Sequence, residues 1–149
     1  WTFRVIATPG HTRDGVSFYF PGLKALICGE AAGVPDRKFT IHPEFLASYR
    51  DYVSSLEKLA ALDVEIIMLS HHNVLTGAEA RSYLKKSLES TFAFAERIRK
   101  YLTETGGDQE TVVKRIFKED HQDTGAIQQA ERPYLINRSA KVKAVAENK

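Results

Sequence analysis

The chain begins with a strand-like alternation of apolar and polar positions and ends in helical periodicity. Trp1, Phe3 and Val5 alternate with Thr2 and Arg4, a period of two that predicts a half-buried strand through Ala7. Val16 to Phe20 is a second run of β-formers, closed by the Pro21-Gly22 turn. Leu23 to Cys28 is a third, ended by Gly29. The span from Gly29 to Pro43 has no clear period and is expected to be a long loop. Phe45, Tyr49, Tyr52, Leu56 and Leu59 then recur at spacings of three and four, which predicts a helix over 43–62 with Pro43 in its first turn. Val64 to Leu69 is an almost unbroken apolar run, the pattern of a strand buried on both faces, with Ser70 to Gly77 as the loop at its C-terminal end.

Beyond that loop the pattern is helical. Leu84, Leu88, Phe92, Ala95, Ile98 and Leu102 form one stripe over 78–103, and Gly106-Gly107 breaks it. Asp108 is a good N-cap for a helix through Lys118, with Val112, Val113, Ile116 and Phe117 inward. A polar stretch over 119–132 leads to a final helix after Asn137, with Ala140, Val142 and Val145. The expected organisation is a β-rich part over 1–77 and a helical region over 78–149 packed on it.

Composition adds limits. A length of 149 residues, 43% hydrophobic and 27% charged, suits a globular domain with a real core. A net charge of +2 without a basic run longer than two residues argues against nucleic acid as a partner. No apolar stretch reaches the ~18 residues needed to span a bilayer, so no membrane partner is expected. The single cysteine, Cys28, allows no internal disulfide and suits a reducing cytoplasm. A start inside a strand pattern, without Met, leads us to expect a piece cut from a longer protein.

Three features that could carry chemistry follow strands. Thr8-Pro9-Gly10-His11-Thr12 is a tight turn that projects an imidazole from the sheet. Cys28-Gly29-Glu30 places a carboxylate among small residues, where it could bind a cation. His71-His72 follows the apolar strand, and neighbouring side chains in extended backbone point different ways, so one of the two is expected to face a site. Each alone reads equally as a solvated loop residue. His42 and His121 lie in polar, irregular context and read as surface residues. Neither a Gly-rich phosphate loop nor a Gly-x-Ser-x-Gly elbow occurs. Cys28, at a buried strand end, reads as packing rather than as a nucleophile.

In order, these segments resemble the second half of the metallo-β-lactamase superfamily. Thr8-Pro9-Gly10-His11-Thr12 with Gly15-Val16-Ser17-Phe18 resembles the family's Pro-Gly-His-Thr segment. Leu26-Ile27-Cys28-Gly29-Glu30 resembles its strand ending in Gly-Asp. Ile67-Met68-Leu69-Ser70-His71, followed by Val74-Leu75-Thr76-Gly77, resembles the strand ending in the last ligand histidine. Pro133-Tyr134-Leu135-Ile136-Asn137 is similar to a segment of the glyoxalase II-like branch. The resemblance implies an α/β (α+β) fold: half of an αββα sandwich, followed by a helical C-terminal region. It implies a hydrolase of a small-molecule ester, thioester or related bond, acting through a metal-bound hydroxide. One or two ions are expected, zinc by preference, with iron or manganese as alternatives. His11 would bind the first metal, Glu30 would bridge both, and His71 would bind the second, with His72 the alternative to His71.

Two departures accompany the resemblance. The family's His-x-His-x-Asp-His motif is absent, so this chain holds only part of a site and is expected to be inactive alone, its partner being the N-terminal half of the same fold. Glu30 also stands where Asp is usual, one methylene longer. A degenerate member without metal, or a non-catalytic binding or regulatory module using the helical region, are the alternatives. A half-fold would expose an apolar sheet face, with Phe3, Val5, Phe18 and Phe20 as its residues, so either a homo-oligomer or a covering first half is expected.

Overall fold

The structure is a computed structural model and describes residues 2–71, 73–125, 127 and 129–147. Trp1 and His72, both singled out by the sequence, lie outside the described residues. Among the described residues, seven strands and four α-helices run in the order β1 (Arg4–Ala7), β2 (Val16–Phe20), β3 (Ala25–Gly29), β4 (Val34–Pro35), β5 (Ile41–His42), α1 (Tyr49–Ala60), β6 (Ile66–Leu69), β7 (Val74–Thr76), α2 (Gly77–Glu104), α3 (Gln109–Phe117) and α4 (Glu131–Ala146). The expected α/β class, a sheet followed by a helical region, is what the chain forms.

β1, β2, β3, β6 and β7 make one sheet in that order, and β4 and β5 make a separate small hairpin. β1–β2, β2–β3 and β6–β7 are antiparallel, and β3–β6 is parallel. Strands β1, β3 and β6 therefore all run the same way. Their C-terminal ends lie at one edge of the sheet, and the three segments singled out above follow those ends.

The inner face of the sheet carries Leu26, Cys28, Ile67, Leu69 and Leu75, all buried with Tyr52, Leu56 and Leu59 of α1 and Ala80 and Leu84 of α2 in one core. The other face is bare. Val5, Phe18, Ile27, Met68 and Val74 stand opposite one another across all five strands. Val5 and Val74 are each 60% exposed, and Ile27 and Met68 nearly 40%. Phe3 packs its ring on Phe18 and Phe20 beside this row. The expected apolar face is thus present and is wider than the four residues named for it.

Several elements lie elsewhere than the sequence pattern predicts. β6 is buried on one face only, because Met68 lies in the bare row. The expected loop over 29–43 contains the β4–β5 hairpin, and the loop after β6 contains β7, whose three residues are too few to show a period. α1 begins at Tyr49 and not at Pro43. Ser48 caps it by accepting from Asp51 N–H, while the backbone N–H groups of Ala47 and Ser48 donate to the Gly10 carbonyl. α4 starts at Glu131, before the expected Asn137. Phe92, placed on the inner stripe of α2, is 44% exposed, and Thr91, Phe94 and Tyr101 are buried instead. Asp108 caps α3 as expected, accepting from Glu110 and Thr111 N–H. The basic side chains of the helical region are largely paired: Arg97 meets Asp120, and Arg115 meets Glu104 and Glu119.

Candidate functional site

The three strand ends bring His11, Glu30 and His71 together. Gly10 makes the first turn possible. Its φ of +133° and the packing against α1, where a Cβ would lie 2.4 Å from the Tyr52 Cα, admit no side chain. At the second end the β3–β6 register shifts between Ile27 and Gly29, and Gly29 takes a φ of +53°. This local irregularity turns Glu30 toward the same edge. His71 itself sits at φ +62°, a left-handed conformation that costs about 1 kcal/mol for a residue with a Cβ.

The Glu30 carboxylate joins the two imidazoles. His11 Nε2 pairs with one oxygen, and His71 Nε2 lies 2.7 Å from the other. His11 and Glu30 are each 24% exposed, and His71 is 62% exposed. Hydrogen bonding to His11 lowers the Glu30 carboxyl to about 2; burial opposes this and His71 adds to it. Burial disfavours the charged His11 ring, but Glu30 and the Glu44 carbonyl outweigh it and raise its pKa above the usual value. Among the described residues, no set of three or more His, Cys, Asp or Glu side chains is arranged as a metal cage. The two nitrogens close on the carboxylate rather than on a common empty point.

Behind this cluster lies a hydrogen-bonded frame. His11 Nδ1 donates to the Glu44 carbonyl, at 2.7 Å. The buried Tyr52 hydroxyl lies 3.3 Å from Glu44 N, which donates to it, and donates over 3.3 Å to the Glu30 carbonyl. Tyr52 therefore ties the segment that supports His11 to the one that carries Glu30. The Glu44 carboxylate accepts from Lys141 Nζ of α4 at 2.7 Å, with Lys141 only 1% exposed. Burial and the neighbouring Arg138 push the Lys141 ammonium down to about 7, against the pull of Glu44.

A cavity of about 630 Å³ opens over the cluster; His42, Tyr134 and Arg138 line it together with the three residues above. His42 is not the surface residue expected from sequence. It is half-buried, with Nε2 3.0 Å from Asp36 Oδ2, and burial lowers its pKa. His121 packs on Phe117 and Tyr134. Arg138 is 3% exposed and lies over the Phe94 and Tyr134 rings. Its Nη1 and the Tyr134 hydroxyl are buried with no hydrogen-bond acceptor for either among the described residues. Cys28 is buried, its thiol pushed up to about 12, which agrees with a packing role.

Glu44, Tyr52, Asp36, Arg138 and Lys141 were not read as site residues. One signal was there. Arg138 and Lys141 fall on the same helical stripe as Tyr134, Val142 and Val145, and charged residues on an inward stripe mark a buried polar function.

Parts of the chain match known proteins. Residues 1–71 match the family model described as the metallo-beta-lactamase superfamily. A hydroxyacylglutathione hydrolase of Idiomarina loihiensis is 35% identical over 101 residues, covering 65% of this chain and 36% of that protein. A metallo-beta-lactamase family protein of Thermus thermophilus shares the fold with a TM-score of 0.63 at 18% identity, over 94% of this chain and 42% of that one. An archaeal metallo-beta-lactamase superfamily protein of Sulfolobus tokodaii gives 0.51 at 15%, over 97% and 46%. The chain is thus similar to members of the metallo-β-lactamase superfamily, with the family match lying in its first 71 residues. It spans between a third and a half of the length of these relatives. Among the described residues, no helix is long and apolar enough to cross a membrane.

Proposed function

We propose that this chain is the C-terminal portion of a metal-dependent hydrolase, and that His11, Glu30 and His71 are its share of the metal ligands. The observation that carries this is the His11 ring. Its Nδ1–H is committed to the Glu44 carbonyl, so in the neutral ring Nε2 presents a lone pair. That lone pair faces a carboxylate oxygen. Two electron-rich atoms at contact need a shared proton or a cation between them. Two imidazoles and one carboxylate suit a borderline divalent ion, zinc by preference. Such an ion, when bound, supplies an acidified water and positive charge for the oxyanion that develops.

The residues of this chain do the rest. Glu30 can serve two ions through its two oxygens, and Tyr52 fixes the spacing of the two loops. Arg138 and Tyr134 offer buried donors in the same cavity, which suits an anionic or carbonyl-bearing substrate. An ester or thioester is the class we propose, in line with the hydroxyacylglutathione hydrolase to which the chain is similar. Three donors fall short of two ions with about four ligands each, so the isolated chain is expected to be inactive. The bare sheet face would be covered by a second sheet from the rest of the fold, or by a second copy. A lone buried thiol is consistent with the cytoplasm.

The test is a thioester and ester hydrolysis assay on the full-length protein, before and after chelation and after zinc is returned. Activity lost on chelation and restored by zinc supports the reading. Unaltered hydrolysis after complete metal removal refutes it.

A further inference from the structure

We propose that Glu44 and Lys141 are positioning residues for His11, so that helix α4 sets the geometry of the metal-facing ring from the far end of the sequence. The inference rests on the reading of His11 as a ligand. Lys141 and Glu44 are 97 positions apart, yet their charged groups meet at 2.7 Å with the ammonium fully buried. A buried ion pair seldom adds net stability, because desolvation offsets the attraction. A buried pair of this kind does fix position. Loss of Glu44 leaves the Lys141 ammonium buried and uncompensated, and loss of Lys141 frees the Glu44 carboxylate to turn toward the cavity that it lines.

Glu44 carries that constraint to the ring. It uses its carboxylate for Lys141, its N–H for the Tyr52 hydroxyl and its carbonyl for His11 Nδ1–H. All three polar groups of one residue are engaged, each with a different element of the fold. Release of the carboxylate frees the Glu44 backbone to rotate, and the carbonyl then no longer faces the ring. His11 would lose the bond that keeps its proton on Nδ1, and Nε2 would cease to be the obligate lone-pair atom. Hydrogen-bond partners of ligand histidines typically change metal affinity 10- to 100-fold when removed.

The experiment uses the full-length protein with Lys141→Met, Glu44→Gln and the double variant. Two readouts are taken: imidazole ¹⁵N NMR of His11 in metal-free protein at alkaline pH, where the ring is neutral and its signals report the tautomer, and zinc affinity by competition with a chromogenic chelator. Circular dichroism checks folding, and Glu44→Gln decides the matter should Lys141→Met not fold. The expected result is a mixed His11 tautomer and zinc binding about 10-fold weaker in each single variant, with the double variant no worse than either. Folded variants with wild-type His11 signals and zinc affinity within about two-fold of wild type would overturn the proposal. If the unaltered protein takes up no zinc, the metal reading fails, while the tautomer still decides whether the strut exists.

Discussion

Glu30→Gln removes the one negative charge that both imidazoles share. In metal-free protein the carboxyl is held at about 2 rather than 4.5. At ~1.4 kcal/mol per pKa unit, that shift corresponds to an upper value of about 3.5 kcal/mol. The raised His11 pKa describes the same contact from its other side and is not added. A depressed carboxyl contributes stability that is complete above its unfolded value of 4.5 and is lost as pH falls toward 2. A raised imidazole contributes stability that is complete below 6.5 and is lost as pH rises through its folded value. The cluster should therefore stabilise most between these limits. Urea unfolding of metal-free wild type and Glu30→Gln across about pH 3 to 9 measures the gap. We expect it widest at about pH 5–6 and narrowing in both directions. A gap of constant size across the range would show that the residue matters for shape alone and would refute the argument.

Other outcomes follow from single residues. Tyr52→Phe removes two hydrogen bonds and should lower the unfolding free energy by about 2 kcal/mol in chemical denaturation, with weaker metal uptake. Gly10→Ala places a Cβ into the α1 backbone and should destabilise by ~1–3 kcal/mol, read as a lower melting temperature. Arg138→Met removes a buried cation that lies over the Phe94 and Tyr134 rings in the cavity. Steady-state kinetics should show KM raised about 10-fold for an anionic substrate with kcat little changed, and equal KM values would contradict a substrate role. Sedimentation of this chain alone should show self-association through the bare sheet face, and replacing Val5 and Met68 by Lys should abolish it with no loss of helix content.

The strands leading to His11 and Glu30 were legible because each ends in a turn signal or a glycine, the one leading to His71 because it is an almost unbroken apolar run, and the common direction of β1, β3 and β6 does the assembling. Short elements were not legible. β4, β5 and β7 have two or three residues each, fewer than one repeat of any period, and their pairing is decided by tertiary contact. The start of α1 was not legible because Pro43 suits a first helical turn, whereas the cap that sets the start is the Ser48 hydroxyl. The frame of Glu44, Tyr52 and Lys141 was hidden for a different reason. Its function lies in a backbone carbonyl and in a contact between residues 97 positions apart, and neither leaves a local pattern. His42 was misjudged because its partner, Asp36, sits across a hairpin that the sequence did not reveal.

The central claim is that His11, Glu30 and His71 hold metal. Metal content by mass spectrometry of the full-length protein and of His11→Ala, Glu30→Ala and His71→Ala tests it most directly. The account predicts bound zinc, or iron or manganese in its place, in the unaltered protein and a loss of at least one ion in each variant that still folds. Full retention of metal in all three variants would contradict it.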